Sequence, residues 1–154
     1  MEFHTEREID ASAAEVWCVL GEGFGDVSWS TGIDSSSLEG ELGVGCLRTC
    51  NFPPSRLSKS GSVRETLVQF DREAMTLAYE VQPTPGVMKS AINRWSITPL
   101  GAERCRVRSH ATLEFRGLAV VFGPLMRPMI RRMGARFVDD LAERVAATRR
   151  VSAA

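Results

Sequence analysis

Two periodicities divide the chain. Between residues 33 and 115, apolar and polar positions alternate in short runs, the spacing of strands with one covered and one wet face. Breaks fall at Gly43 and Gly45, at Pro53–Pro54, at Asp71–Arg72, at the Pro83–Pro85–Gly86 cluster and at Gly101. They delimit extended segments near 33–41, 45–52, 60–70, 74–82, 89–99 and 103–115. In the last of these, Cys105, Val107, Ser109, Ala111, Leu113 and Phe115 share one face, and Arg106, Arg108, His110, Thr112 and Glu114 share the other. After Gly117 the period changes. Phe122, Met126, Met129, Met133, Phe137, Leu141 and Val145 recur at steps of three and four, which predicts a long amphipathic helix from about 124 to 149. Pro124 suits its first turn. Pro128 either kinks the helix or marks its true start. Gly134 costs about 1 kcal/mol against Ala inside a helix, so its place there implies a close approach.

Before the meander, residues 2–9 alternate loosely and predict a first strand. Ser12 with Glu15 three residues on is a capping box that opens a helix carrying Val16, Trp17, Val19 and Leu20 and stopped by Gly21. A second short helix is expected to end near Trp29, followed by a turn at Thr31–Gly32. The fold class is therefore α+β: a curved antiparallel sheet of about seven strands around a long C-terminal helix, with two short helices after the first strand. A single domain over 1–150 is expected, with 151–154 a frayed tail. Because the long helix must bury its stripe, it is expected to lie on the concave sheet face.

Composition narrows the function classes. Nineteen basic and nineteen acidic residues cancel, which argues against general attraction to nucleic acid or an anionic membrane. The charged N-terminus is unlike a signal peptide and no run of about 18 apolar residues occurs, so no membrane insertion and a cytoplasmic location are expected. Cys18, Cys46, Cys50 and Cys105 match no zinc spacing and are expected to be reduced thiols packed as small hydrophobes. His4 and His110 are distant in sequence, with no matching carboxylate spacing; both are assigned to the surface and no metal site is expected. No G-x-S-x-G nucleophile motif and no G-x-G-x-x-G before a helix occurs.

Several pieces, in order, resemble the START/Bet v1-like helix-grip superfamily, and the polyketide cyclase/dehydrase branch in particular. They are A-A-E-V-W-C-V-L, F-G-D-V-S-W, G-V-G-C-L-R-T-C, S-V-R-E-T-L-V-Q-F-D, L-A-Y-E-V, W-S-I-T-P-L-G and C-R-V-R-S-H-A-T-L-E-F. The resemblance covers nearly the whole chain. It implies a cavity for a small lipophilic molecule, polyketide-like or otherwise polycyclic or lipid-like. It also implies either a cofactor-independent cyclase/dehydratase of secondary metabolism or a non-catalytic lipophile carrier.

Strand parity and the match to the family's G-x-x-R and x-E-x-L pieces give the expected lining. Facing inward are Arg48, Cys50 and Phe52; Val63, Glu65 and Leu67; Leu77, Tyr79 and Val81; Asn93, Trp95 and Ile97; and Val107, Ser109 and Ala111. Met129, Met133 and Phe137 close the space from the helix, and Trp29 and Trp95 offer flat surfaces for rings. A carboxylate in such a lining needs a partner, and Arg48 is the one expected for Glu65. The pair is either a fixed salt bridge or catalytic, with Glu65 as general acid or base on an enolisable carbonyl and Arg48 polarising its oxygen. Tyr79 either donates to the same oxygen or is an aromatic wall. Arg127, Arg131, Arg132 and Arg136 form a basic run: a solvated face, a homodimer contact, or, through Arg127 and Arg131, a contact for an acidic carrier protein.

Overall fold

The computed structural model describes residues 1–54, 60–83, 88–117 and 119–154; Pro85, Gly86 and the Phe122 side chain lie outside the described residues. Seven strands are present: β1 (Glu2–Ile9), β2 (Ser35–Glu39), β3 (Leu47–Phe52), β4 (Gly61–Asp71), β5 (Thr76–Val81), β6 (Met88–Gly101) and β7 (Arg104–Phe115). They form one antiparallel sheet in the order β1-β7-β6-β5-β4-β3-β2, so the last strand pairs with the first and every other step is a hairpin neighbour. The expected strands all occur where alternation places them. A bulge between Leu67 and Gln69 on β4 resets the parity, but only after the inward set Val63, Glu65 and Leu67 has been laid down.

The capping box is present: the Ser12 N–H donates to Glu15 Oε2 at 2.8 Å and the Glu15 N–H to Ser12 Oγ at 3.3 Å. It opens α1 (Ala13–Trp17), which passes directly into a π turn over Cys18–Glu22. Gly21 belongs to that turn rather than ending the helix, because a Cβ there would lie 2.4 Å from the buried Trp17 ring. Gly21→Ala is accordingly expected to destabilise by about 1–3 kcal/mol through overpacking, read as a lower urea midpoint with unchanged slope.

No second helix forms near Trp29; residues 23–32 are turns instead. Asp26 carries the reason. Its carboxylate accepts from the Ser28 N–H at 3.1 Å and from Ser28 Oγ at 2.6 Å, and its carbonyl accepts from Trp29 Nε1 at 2.8 Å. An aspartate bonding two residues ahead offers the backbone a turn in place of a helix. Asp140 then ties this loop to the C-terminal helix by accepting from the Thr31 N–H at 2.5 Å and from Thr31 Oγ1 at 3.2 Å.

The C-terminal helix α2 runs over Ala119–Ser152, longer at both ends than expected, and holds both Pro124 and Pro128. Val151 and Ser152 are helical, and the Ala153 N–H still donates to the Arg149 carbonyl at 3.1 Å, so the helix continues into the expected tail. The helix buries Val138, Leu141 and Val145 in the core with Leu67, Leu77, Cys105 and Val107. Gly134 makes the close approach expected of it, since a Cβ there would sit 3.1 Å from Thr5 Oγ1 on β1. Near the far end, the Arg149 guanidinium donates to the Asp10 carbonyl at 2.9 Å and pairs with Glu15 at 2.9 Å and with Glu103. Cys46, Cys50 and Cys105 are buried free thiols, whereas Cys18 is exposed on the π turn.

Candidate ligand cavity

Between the concave sheet face and α2 lies a cavity of about 190 Å³. Phe3 and Thr5 of β1, Tyr79 of β5, Asn93 and Trp95 of β6 and Ser109 and Ala111 of β7 form its floor; Ile130, Met133, Gly134 and Phe137 of α2 form its roof. Strand alternation explains the floor, because residues two apart on neighbouring strands stack into one patch. Register then brings the polar ones together: Tyr79 lies opposite Asn93, and Ser109 opposite Trp95.

The polar groups form a chain. Ser109 Oγ donates to Asn93 Oδ1 at 2.8 Å, and Asn93 Nδ2 donates to Tyr79 Oη at 3.0 Å. Trp95 Nε1 is buried and makes no well-aligned hydrogen bond among the described residues, although it lies near enough to Tyr79 to favour the ionised phenol. An unsatisfied buried donor costs about 1–3 kcal/mol, so this N–H is the group in the wall with most to gain from a ligand oxygen.

Burial, with the Glu65 charge adding to it, pushes the Tyr79 phenol up to about 12 against the opposing pull of Arg48, Trp95 and Asn93. Tyr79 is the chain's one tyrosine, so its titration can be followed alone. No phenolate absorbance is expected from folded protein at pH 10, where a free tyrosine is half ionised. The folded pKa lies above the unfolded one. Stability is therefore full below about pH 10 and falls by about 2–3 kcal/mol as pH rises to 12. Spectroscopic titration with parallel urea melts checks both statements.

Arg48 and Glu65 are inward and paired, but on β3 and β4, to the side of the cavity floor rather than on it. Arg48 Nε donates to Glu65 Oε2 at 2.7 Å, and Nη1 donates to the Phe24 carbonyl at 2.7 Å. The guanidinium also lies 4.0 Å from the Phe24 ring centroid and 4.9 Å from that of Tyr79. Cys50 Sγ donates to the same Glu65 oxygen at 3.5 Å, and burial, then Glu65, pushes its thiol up to about 12. Burial pulls the Arg48 guanidinium down, but Glu65, Tyr79 and Cys50 outweigh it and leave it raised.

Of the expected lining, Tyr79, Asn93, Trp95, Ser109, Ala111, Met133 and Phe137 bound the cavity. Cys50, Leu67, Leu77 and Val107 are buried core instead, and Phe52, Val63 and Val81 are half-buried away from it. Trp29 packs on Phe137 with ring centroids 5.0 Å apart and stays outside the cavity. Met129 does not close the space: it is 53% exposed on the far side of α2, and Ile130 takes its place. Met133 reaches the cavity edge while remaining 61% exposed. Arg127 and Arg131 are exposed. Phe3, Thr5 and Ile130 are lining residues that the sequence pattern does not single out, and Gly134 is foreseen only as a point of close approach; the alternation Phe3, Thr5 along β1 is the signal for the first two.

A family model described as polyketide cyclase / dehydrase and lipid transport matches residues 1–148. The chain belongs to that family. A search of curated proteins finds no sequence match. Solved structures show where this member of the polyketide cyclase/dehydrase family stands in fold space. The Thermus thermophilus protein TTHA0849 is 18% identical with a TM-score of 0.79, over 96% of this chain and 99% of that one. The Zhui aromatase/cyclase from Streptomyces is 14% identical with a TM-score of 0.76, over 95% and 93%. Norcoclaurine synthase from Thalictrum flavum is 18% identical with a TM-score of 0.72, over 94% and 92%. At such identities the likeness speaks to the helix-grip fold alone. Among the described residues no helix is long and apolar enough to cross a membrane.

Proposed function

We propose that this polyketide cyclase/dehydrase-family protein binds a small lipophilic molecule carrying a carbonyl or hydroxyl oxygen in the cavity beneath α2. The observation that carries this reading is the single polar pole in the wall. Tyr79, Asn93 and Ser109 are bonded in series, and the Trp95 N–H stands beside them without a well-aligned partner among the described residues. Apolar surface supplies the affinity, and the pole fixes which end of the ligand faces the sheet. The volume of about 190 Å³ sets the scale. It falls short of the roughly 300 Å³ at which drug-sized pockets begin. The resting cavity therefore takes a one- or two-ring compound, and larger guests need Met133, a flexible and already exposed side chain, to swing out.

A second reading, cyclisation or dehydration without a cofactor, has one observation in its favour. Tyr79 is a proton-bearing donor on the wall, and the Arg48 guanidinium, paired with Glu65, lies 4.9 Å from its ring centroid. There the phenol donates to a carbonyl oxygen as negative charge develops on it, Arg48 supports that charge from beside the ring, and Glu65, which does not line the cavity, holds Arg48 in place. The carrier reading needs no such step.

The test uses 1-naphthol and 1-tetralone as probes, followed by calorimetry and by tryptophan fluorescence. Both are expected to bind. Trp95→Phe is expected to weaken the tetralone about tenfold, by loss of a hydrogen bond worth about 1–1.5 kcal/mol, while its melting point stays close to wild type. No saturable binding of either probe, or equal binding by Trp95→Phe, overturns the proposed pose. Ligands extracted from the native host and re-incubated with protein separate the two readings. Recovery unchanged supports a carrier, and conversion that is lost in Tyr79→Phe supports an enzyme.

A further inference from the structure

We infer that Glu2, His4 and His110 form a binding site for a divalent transition-metal ion of the zinc class on the outer, convex face of the sheet. This face is remote from the cavity and the site does not depend on how the cavity is used. Although 106 positions separate the two histidines in the sequence, the β1–β7 pairing sets His4 directly opposite His110. Their rings stack with centroids 4.2 Å apart and an interplanar angle of 17°. Glu2 lies two residues from His4 on the same strand, hence on the same face. One ligating atom from each of the three lies within 4.8 Å of the other two.

Three features favour a metal over a solvated surface pair. His110 Nε2 is shielded from solvent and has no hydrogen-bond partner among the described residues. The Glu2 carboxylate oxygen stands 3.9 Å from it, too long for a hydrogen bond. Yet zinc bonds of about 2.0–2.1 Å to nitrogen and about 2.0–2.2 Å to oxygen would span that gap with small side-chain rotations. Finally, Glu2 makes no other ion pair among the described residues, while Glu6 and Glu8 farther along β1 are engaged by Arg106 and Arg108. The metal would cancel an otherwise lone charge.

Two imidazoles and a carboxylate are the donor set that suits zinc, and they leave a coordination position open. The two histidines also border a groove of about 410 Å³, together with Glu6, Arg94 and Arg108. Arg94 is the cross-strand neighbour of His110 on β6 and opposes the cation, whereas the Arg108 charge is met by Glu6 at 2.5 Å. A bound ion would pin the edge strand β1 to β7.

The experiment titrates tag-free protein with zinc chloride by calorimetry and with cobalt(II) by visible absorption. One ion per chain is expected, with a cobalt spectrum of low coordination number and a zinc-dependent rise in melting temperature. His4→Ala, His110→Ala and Glu2→Gln should each weaken uptake by more than about tenfold, since losing even an outer partner of a metal site costs that much. All three side chains lie on the outer face, and far-UV circular dichroism without metal verifies that each variant folds. No saturable uptake by wild type, or uptake by folded His110→Ala equal to wild type, overturns the site.

Discussion

Glu65→Ala is expected to destabilise the fold by about 3–5 kcal/mol, and Arg48→Met by a similar amount, because each leaves the other half of a buried ion pair without its counter-charge. Arg48 is 3% exposed and Glu65 is 9% exposed. Glu65 Oε2 receives both Arg48 Nε and, at 2.6 Å, Nη2, so one carboxylate oxygen carries most of the compensation. With Glu65 gone, the guanidinium keeps only the Phe24 carbonyl and the aromatic faces of Phe24 and Tyr79. The double change Arg48→Met with Glu65→Leu removes both charges and is expected to cost less than either single change. A double-mutant cycle by urea denaturation measures this coupling. Single costs below about 1 kcal/mol would mean that water reaches the pair and screens it.

Phe137→Ala should cost about 3 kcal/mol, toward the low end of buried aromatic truncations because the ring is only part-buried. Phe137 is the wedge between Trp29 at 5.0 Å and Trp95 at 5.2 Å, measured between ring centroids, and it also roofs the cavity. Its removal joins the cavity to the space beneath the 23–32 loop. The same variant is therefore expected to lose affinity for 1-naphthol and gain it for a three-ring probe such as anthrone. Thermal melts and calorimetry on one preparation test both halves. Loss of stability with no change in ligand size preference would show that Phe137 supports the fold without shaping the cavity.

Both variants touch positions at which sequence patterning had very different reach. Strand parity located Arg48, Glu65, Tyr79, Asn93, Trp95 and Ser109 on the concave side, because the register breaks, at Leu67–Gln69, Met88–Ser90 and Pro99–Gly101, all fall outside the stretches that carry them. Parity says which side a residue faces but not how deep it sits. Only the order of strands in the sheet puts Arg48 and Glu65, on β3 and β4, away from a cavity floored by β1, β5, β6 and β7. On α2 the error was angular. Steps of four residues advance about 40° around a helix, so a row followed from Val145 back through Leu141, Phe137 and Met133 to Met129 has turned about 160°. The row that stays on the core is Ile130, Gly134, Phe137, Val138, Leu141 and Val145, and a glycine in it conceals it from any hydrophobic count. The helix expected near Trp29 failed for a local reason, the Asp26 side chain competing for backbone N–H groups. The His4–His110 contact was beyond reach, since it exists only because the final strand returns to the first.

Unequal anchoring of α2 has a mechanical consequence. Its second half is fixed by the buried Val138, Leu141 and Val145, by Asp140 on the loop and by the Arg149 contacts. Its first half carries two prolines, which remove two backbone bonds, and leaves Val120, Val121, Leu125 and Met129 in solvent. A rod clamped at one end bends most at the other. Thermal excursions that expose the interior thus begin around Ile130 and Met133, on the side where traffic into the cavity meets least resistance, while the far end stays shut.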